Sequence, residues 1–395
     1  MGERLDDGAL RITVLDHTAV LGGAELALVR LLDHLDPGLQ TRTVLFSDGP
    51  LAAKLAEAGH PVEVLALDPA LANTDRHEAG RSRLTALANA MRVLPFTVRL
   101  GLRLRRLAPD VIYTTSLKAD LLGVPAAWIA GVPLVWHVHD RISPDYLPGP
   151  MVRLLQLLAR RVVRRVVVNS EGTAATLPGI HPAIAYPGYD PAQVGPSPAE
   201  RTIPTPPVVG ILGRISPTKG QLEFVRAAER VLARHPEARF RIIGAPLFGE
   251  QEYADRVQAV AQELGIADRV EFTGFVADPA AALDGLTVCV HASGQPEPFG
   301  QVIVEAMIRG VPVVATQGGG VTEIVRPDPA AEPLGWLVPP YDVAALAAAI
   351  DEVLEDPAEA EHRATAAWHS AQERFSVHDT AAVVASVLRE AAARR

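Results

Sequence analysis

Cysteine is almost absent from this 395-residue sequence: Cys289 stands alone, so no disulfide can form within the chain. It sits in a strand-like apolar run, LTVCV, and reads as inert core in a reducing compartment, by default the cytoplasm. No targeting segment is visible, because the opening MGERLDDGALRITVLD is acidic and holds no apolar core. The longest uncharged stretch, 121–136, is interrupted by Gly123, Pro125, Gly131 and Pro133 and is too short for a membrane-spanning helix. No internal repeat appears. No G-x-G-x-x-G follows the first strand, which argues against hydride transfer with a dinucleotide. A basic excess is missing too. The formal charge is −9. Residues 1–200 hold 20 basic and 20 acidic side chains, and 201–395 hold 17 and 26. Nucleic acid is therefore not an expected partner. An acidic half that binds phosphate must do so through local donors rather than its overall field.

What is present is alternation. Short β-rich runs (RITVLD, TRTVLF, PVEVLA, DVIYTT, PLVWHV and RVVVNS) are separated by helical stretches, and the pattern resumes with VVGILG, RFRIIG, VEFTG, LTVCV, VPVVAT and GWLV. Strand–helix alternation predicts parallel sheets covered on both faces, an α/β architecture. The length suits two domains. Residues 191–207 contain six prolines and predict the linker. The expected division is a first domain at 1–190, a second at 208–375 and a closing helix at 376–395.

The most informative stretch is 291–325, HASGQPEPFGQVIVEAMIRGVPVVATQGGGVTEIV. It reads as strand, loop, helix, strand and glycine turn, the local layout of a nucleotide site in a doubly wound sheet. Glu297 precedes the helix and Glu305 lies within it. Backbone N–H groups at Phe299, Gly300, Gln301 and Val302 open the helix, where orphan donors and the macrodipole favour a phosphate. Gly300 removes a Cβ where a ligand must come close. Gly22 and Gly23 give the first strand a similar glycine-opened helix.

Glu297-Pro-Phe-Gly300 with Glu305 eight residues on, followed by GVPVVAT and three glycines, resembles the paired-glutamate signature of the retaining family-4 glycosyltransferases. Gly213, Arg214, Lys219 and Gly220 resemble that family's Gly-Arg…Lys-Gly element. The resemblance implies a GT-B fold, two doubly wound Rossmann-like domains facing each other across a cleft. It implies a nucleotide-diphosphate sugar as donor in the second domain, a hydroxyl acceptor in the first, and no metal or other cofactor. Arg214 and Lys219 then stabilise the leaving diphosphate, Glu305 holds the ribose and Glu297 the donor sugar. Gly213, Gly244 and Phe275 frame the nucleotide, and Gly22 and Gly23 face the donor phosphates. His139, or alternatively His137, contacts the sugar. No carboxylate nucleophile is apparent in the first domain, which fits the family's front-face mechanism. A nucleotide-sugar epimerase and a non-catalytic nucleotide-binding scaffold are the other readings.

Other candidates carry two readings each. Thr115, Ser116, Lys118, His137 and Ser170 lie at strand ends, where open sheets bind ligands, and are acceptor-side candidates. His137, His139 and Asp140 are ligand types a metal could use, against the metal-independent reaction the resemblance implies. The stretches 92–106 and 151–168 each carry five arginines and no acid. They fit either a surface resting on anionic membrane, with a lipid-linked acceptor, or solvated helix faces whose arginine stems cover apolar surface.

Overall fold

The computed structural model describes residues 9–68, 83–247 and 249–393, without the side chains of 83–92. The acidic opening residues 1–8, the Arg92 side chain and the last two arginines lie outside that range. The chain divides into two units, Met1–Gly188 with Val377–Arg395, and Tyr189–Ser376.

Unit 1 is a seven-stranded sheet. Its strands are β1 (Leu10–Asp16), β2 (Leu39–Leu45), β3 (Val62–Val64), β4 (Val111–Thr114), β5 (Leu134–Val138), β6 (Arg165–Val168) and β7 (Ala183–Ile184), in the order β3-β2-β1-β4-β5-β6-β7. All pairings are parallel. Central strands β4 and β5 are buried at every position, which is why they read as continuous apolar runs rather than alternating ones. One face is covered by helices Arg83–Leu107, Leu117–Ala130 and Gly149–Arg161, which supply Leu100, Leu104, Ala126 and Leu155 to a core around Trp136. Gly101 lets two of these helices approach: a Cβ there would lie 2.7 Å from the Ile129 side chain. The other face is covered by helices Gly23–His34, Pro50–Glu57 and Val377–Ala393. The last returns Ala381, Val384 and Leu388 to a core with Ile12, Val14 and Tyr113.

Unit 2 repeats the plan with six strands: β8 (Val208–Leu212), β9 (Arg239–Ile243), β10 (Val270–Gly274), β11 (Val288–His291), β12 (Val313–Thr316) and β13 (Trp336–Val338), in the order β10-β9-β8-β11-β12-β13. These too are all parallel. Its core is built on Phe224, Phe240, Val257, Val290 and Ile350.

The proline-rich stretch 191–207 differs from the linker the composition predicts, for it is stitched onto unit 2. It forms two short turns, Pro191–Gln193 and Pro198–Glu200. Gly195 N–H donates to the Ile308 carbonyl at 2.9 Å. Arg201 donates to the carbonyls of Gly310 (3.1 Å) and Leu286 (2.7 Å). Prolines deny the segment a ladder of donors, so it is anchored through turns and side chains instead. The division falls after Gly188. The two-residue edge strand β7 has no counterpart in the sequence reading.

Candidate active site

In a parallel sheet every strand ends at the same edge, and ligands favour the point where strand order reverses. In unit 2 that point lies between β8 and β11. The loop after β8 begins at Gly213, φ +147°, and a Cβ on Gly244 would lie 2.0 Å from the Gly213 carbonyl oxygen. These two glycines are required by backbones passing each other. Buried Gln221 donates to the Arg214 carbonyl at 3.0 Å and accepts from Ser216 N–H at 3.3 Å, fixing the loop from within. The loop after β11 is tied to it by Ser293 Oγ, which donates to the Thr218 carbonyl at 2.6 Å. Gly220 lies so close to Ala292 that a Cβ would come within 1.8 Å of its carbonyl oxygen. The two loops form one frame.

That frame holds the charges. Lys219 Nζ donates to Glu297 Oε1 at 2.6 Å, and His291 Nε2 lies 3.7 Å from the same oxygen. Burial alone would push the Glu297 carboxyl up, but Lys219 and His291 outweigh it and hold the group well below the usual carboxylate range. Arg214 lies 3.6 Å from Glu250. Helix Gln301–Ile308 starts from Gly300, φ +114°, and its first N–H groups, at Gln301 and Val302, have no carbonyl partner within the helix. Gln301 Nε2 donates to Glu305 Oε1 at 3.1 Å. Burial, then the charge of Glu305, push the Cys289 thiol up to about 12, so the lone cysteine is a protonated core group.

Phe299 is buried, its ring 5.6 Å from Phe375, so its side chain belongs to the core and only its backbone faces the helix start. The glycine turn 318–320 clasps Glu297. Gly320 N–H donates to the Glu297 carbonyl at 3.0 Å, and a Cβ on Gly319 would lie 1.9 Å from that oxygen. Phe275, after β10, is 73% exposed and open to stack on a ligand. Gly244 N–H is engaged by the Gly274 carbonyl at 3.0 Å.

In unit 1 the strand order reverses between β1 and β4. Buried Asp16 accepts from Thr115 Oγ1 at 2.7 Å and from Thr18 N–H at 3.1 Å. Burial raises its carboxyl, but His17, Thr115 and Thr18 bring it below the usual value. Gly22 caps helix Gly23–His34 and donates to Glu25 Oε2 at 3.0 Å, while Gly23 is exposed. Burial, then the Asp16 charge, push Glu25 up to about 7. Asp120, also buried, accepts from Thr114 Oγ1 at 2.5 Å, and burial pushes its carboxyl well above the usual range. Tyr113 OH meets His137 Nδ1 at 2.5 Å, and the His137 and His139 rings lie 4.0 Å apart. Burial pushes both imidazoles down, His137 the further. A small cavity lined by Thr115, His137, His139, Leu31 and Thr380 opens beside them.

The acceptor-side candidates are more committed than their positions suggest. The Thr115 hydroxyl is spent on Asp16. Ser116 Oγ accepts from His17 N–H at 3.2 Å. Ser170 is buried and caps helix Glu171–Ala174 by accepting from Thr173 N–H at 2.8 Å, so it is a capping residue. Lys118 is half-buried in the first turn of helix Leu117–Ala130. In the His-x-His-Asp group, Asp140 accepts from Tyr146 OH at 2.7 Å. Among the described residues no group of three or more His, Cys, Asp or Glu side chains is arranged to hold a metal ion. Asp16, Glu25, Asp120, Gln221 and His291 are absent from the sequence reading, because their importance comes from burial and partners that no local motif announces.

The two units match known families separately. Residues 51–193 match Glycosyltransferase Family 4, and residues 197–369 match Glycosyl transferases group 1. The 2-deoxystreptamine glucosyltransferase of Streptomyces kanamyceticus is 32% identical over 334 residues, covering 76% of this chain and 83% of that protein. The chain belongs to the family-4 glycosyltransferases. This glycosyltransferase is also 33% identical over 322 residues to the D-inositol 3-phosphate glycosyltransferase of Acidothermus cellulolyticus, covering 72% of the chain and 68% of its relative. HepE of Anabaena, crystallised with UDP and glucose, superposes with a TM-score of 0.81 at 30% identity, covering 96% of this chain and 99% of that one. The glycosyltransferase therefore has the GT-B fold.

Proposed function

We propose that this glycosyltransferase moves a sugar from a nucleotide-diphosphate sugar, UDP- or GDP-linked, to a hydroxyl of a glycan or glycolipid, with retention and without a metal. The observation that carries the reading is the interlocked frame of unit 2, which holds Lys219 against Glu297 beside the glycine-opened helix. Lys219 and Arg214 present two cations where a leaving diphosphate gathers charge, and the Gly300–Val302 backbone adds dipole. Such pre-organised electrostatics is usually the largest catalytic contribution. Glu305 takes the ribose hydroxyls and Glu297 those of the donor sugar. In a front-face route the leaving phosphate oxygen accepts the acceptor's proton as the new glycosidic bond forms. That route asks no carboxylate nucleophile of unit 1. HepE was crystallised with UDP-glucose as well, which makes UDP the first base to test.

Thermal melting of the full chain with UDP, GDP, ADP and TDP and their sugars, in EDTA, tests the donor site. At a hundred times its Kd, the matching nucleotide adds about 2.7 kcal/mol, a shift of roughly 5–10 °C for a unit this size. No shift with any of them would overturn the donor assignment. Turnover lost in EDTA and restored by a divalent cation would overturn the metal-independent part. The anomer of the product, read by NMR, tests retention.

A further inference from the structure

Helices that pack once on a sheet bury one stripe and present polar residues outward. Two helices of unit 1 depart from this. In Arg83–Leu107 the inward stripe is Phe96, Leu100 and Leu104, yet Leu94, Val98 and Leu102 are exposed. Each exposed residue is two positions from a buried one, about 200° around the helix, so a second apolar stripe lies opposite the core. Helix Gly149–Arg161 repeats the arrangement: Val152 and Leu155 point inward, and Leu154 and Leu157 are exposed. Between them, helix Leu117–Ala130 carries Trp128, 84% exposed. All three helices cover the same face of the sheet.

The charge on this layer has one sign. Exposed arginines 99, 105, 106, 153, 160, 161 and 164 accompany the apolar residues. The one carboxylate in the three helices, Asp120, is buried. Arg105, Arg106, Arg153 and Arg161 have no carboxylate partner among the described residues. The opposite layer is ordinary, with Asp33 on His60 and Glu390 on Arg165.

We propose that this layer docks on an anionic lipid surface, with Trp128 and the outer leucines at the headgroup–acyl boundary and the arginines on lipid phosphates. Exposed apolar side chains interspersed with arginines, on three helices whose only carboxylate is buried, fit that partner. A second copy of the same face would bring like charges together, which favours lipid over self-association. The inference is independent of the donor site, and its test uses no nucleotide sugar.

Flotation of the full chain with phosphatidylcholine vesicles, plain or containing about a third phosphatidylglycerol, reads it directly. Binding is expected to the anionic vesicles only, with a blue shift of tryptophan emission that Trp128→Phe removes. Arg105→Gln with Arg106→Gln should weaken the partition on the order of twentyfold, since each cation contributes roughly fivefold. Leu154→Ser with Leu157→Ser should abolish the emission shift. These side chains lie outside the core, so unchanged melting shows the variants folded. A wild-type chain that stays unbound with anionic vesicles overturns the proposal. So does equal binding by both double variants. A dimer in gel filtration that Leu154→Ser with Leu157→Ser dissolves would assign the face to a second copy instead.

Discussion

The two sheets share one strand order and place their polar groups at the same edge, yet they treat charge in opposite ways. In unit 2 the switch point preserves it: Lys219 and His291 hold Glu297 ionised, and half-buried Arg214 lies beside Glu250. At the switch point of unit 1 burial suppresses charge: Glu25 and Asp120 are pushed up, and His137 and His139 are pushed down, while Asp16 is a buried carboxylate held below the usual value. A fold shared by both units cannot explain the difference. What differs is the partner set. A frame with two cations and an open helix end is suited to an anion, such as a departing diphosphate. A desolvated edge whose one held charge, Asp16, is already matched by Thr115, Thr18 and His17 suits a hydroxyl, which enters uncharged.

The sharpest way to break this contrast is to remove the cations of unit 2. Arg214→Ala together with Lys219→Ala should lower turnover by roughly four orders of magnitude or more, at about 10²–10³ for each lost stabilising group. Near-normal single-turnover rates in the double variant would remove both from the mechanism.

The glycines sharpen it next. Gly319 sits at φ +60° with its missing Cβ against the Glu297 carbonyl. Gly319→Ala should therefore cost about 2–6 kcal/mol from strain and overpacking and displace Glu297. Gly22 has φ −123°, a conformation any residue adopts, and a Cβ there meets only the end of the Glu25 side chain at 2.7 Å. Gly22→Ala should melt within a few degrees of wild type. Equal losses in the two variants would mean that the glycine turns play the same part in both units.

A smaller effect belongs to Glu305. Its replacement by Ala should weaken donor binding by roughly tenfold to a hundredfold, the range for hydrogen bonds to a charged group, and leave acceptor KM alone. Calorimetry with the nucleotide would show it. Unchanged donor Kd would sink the ribose role.

How much of this was legible in the sequence follows from what kind of signal each feature leaves. Strands β4 and β5 announce themselves because they are buried at every position, whereas β2, β3, β9 and β10 carry polar residues and announce themselves by their β-branched and aromatic content between turns. The paired glutamates and the Gly-Arg…Lys-Gly element announce the family because their spacing is local. Ser170 was legible as a position but not as a role. Whether a hydroxyl at a strand end faces a ligand or caps a helix depends on Thr173, which the local motif does not specify. The charge suppression of unit 1 was invisible, since Asp120 has the same letter buried or exposed. The outer apolar stripe of helix Arg83–Leu107 was hidden for another reason: its leucines and valines recur on both sides of the arginines, so the sequence shows no single apolar face until the sheet picks one.

The smallest effect tests the contrast itself, because the two units should respond to pH with opposite signs. Glu297 has a depressed carboxyl, so its stabilisation is present above the ordinary value of 4.5 and fades as the pH falls below it. Glu25 is pushed up to about 7. Between about pH 4.5 and 7 the folded state holds a proton there that the unfolded chain has released, so stability falls as the pH rises through that window. Hydrogen exchange read peptide by peptide can follow each unit separately. Protection in unit 2 should drop on acidification, and Glu297→Gln should flatten that slope. Protection around helix Gly23–His34 should drop as the pH rises from about 5 to 7, and Glu25→Gln should flatten this one while keeping the Gly22 cap, since an amide oxygen still accepts. If helix Gly23–His34 instead lost protection only in acid, with no loss between about pH 5 and 7, Glu25 would be ionised after all, and burial would not neutralise the edge proposed to receive the acceptor.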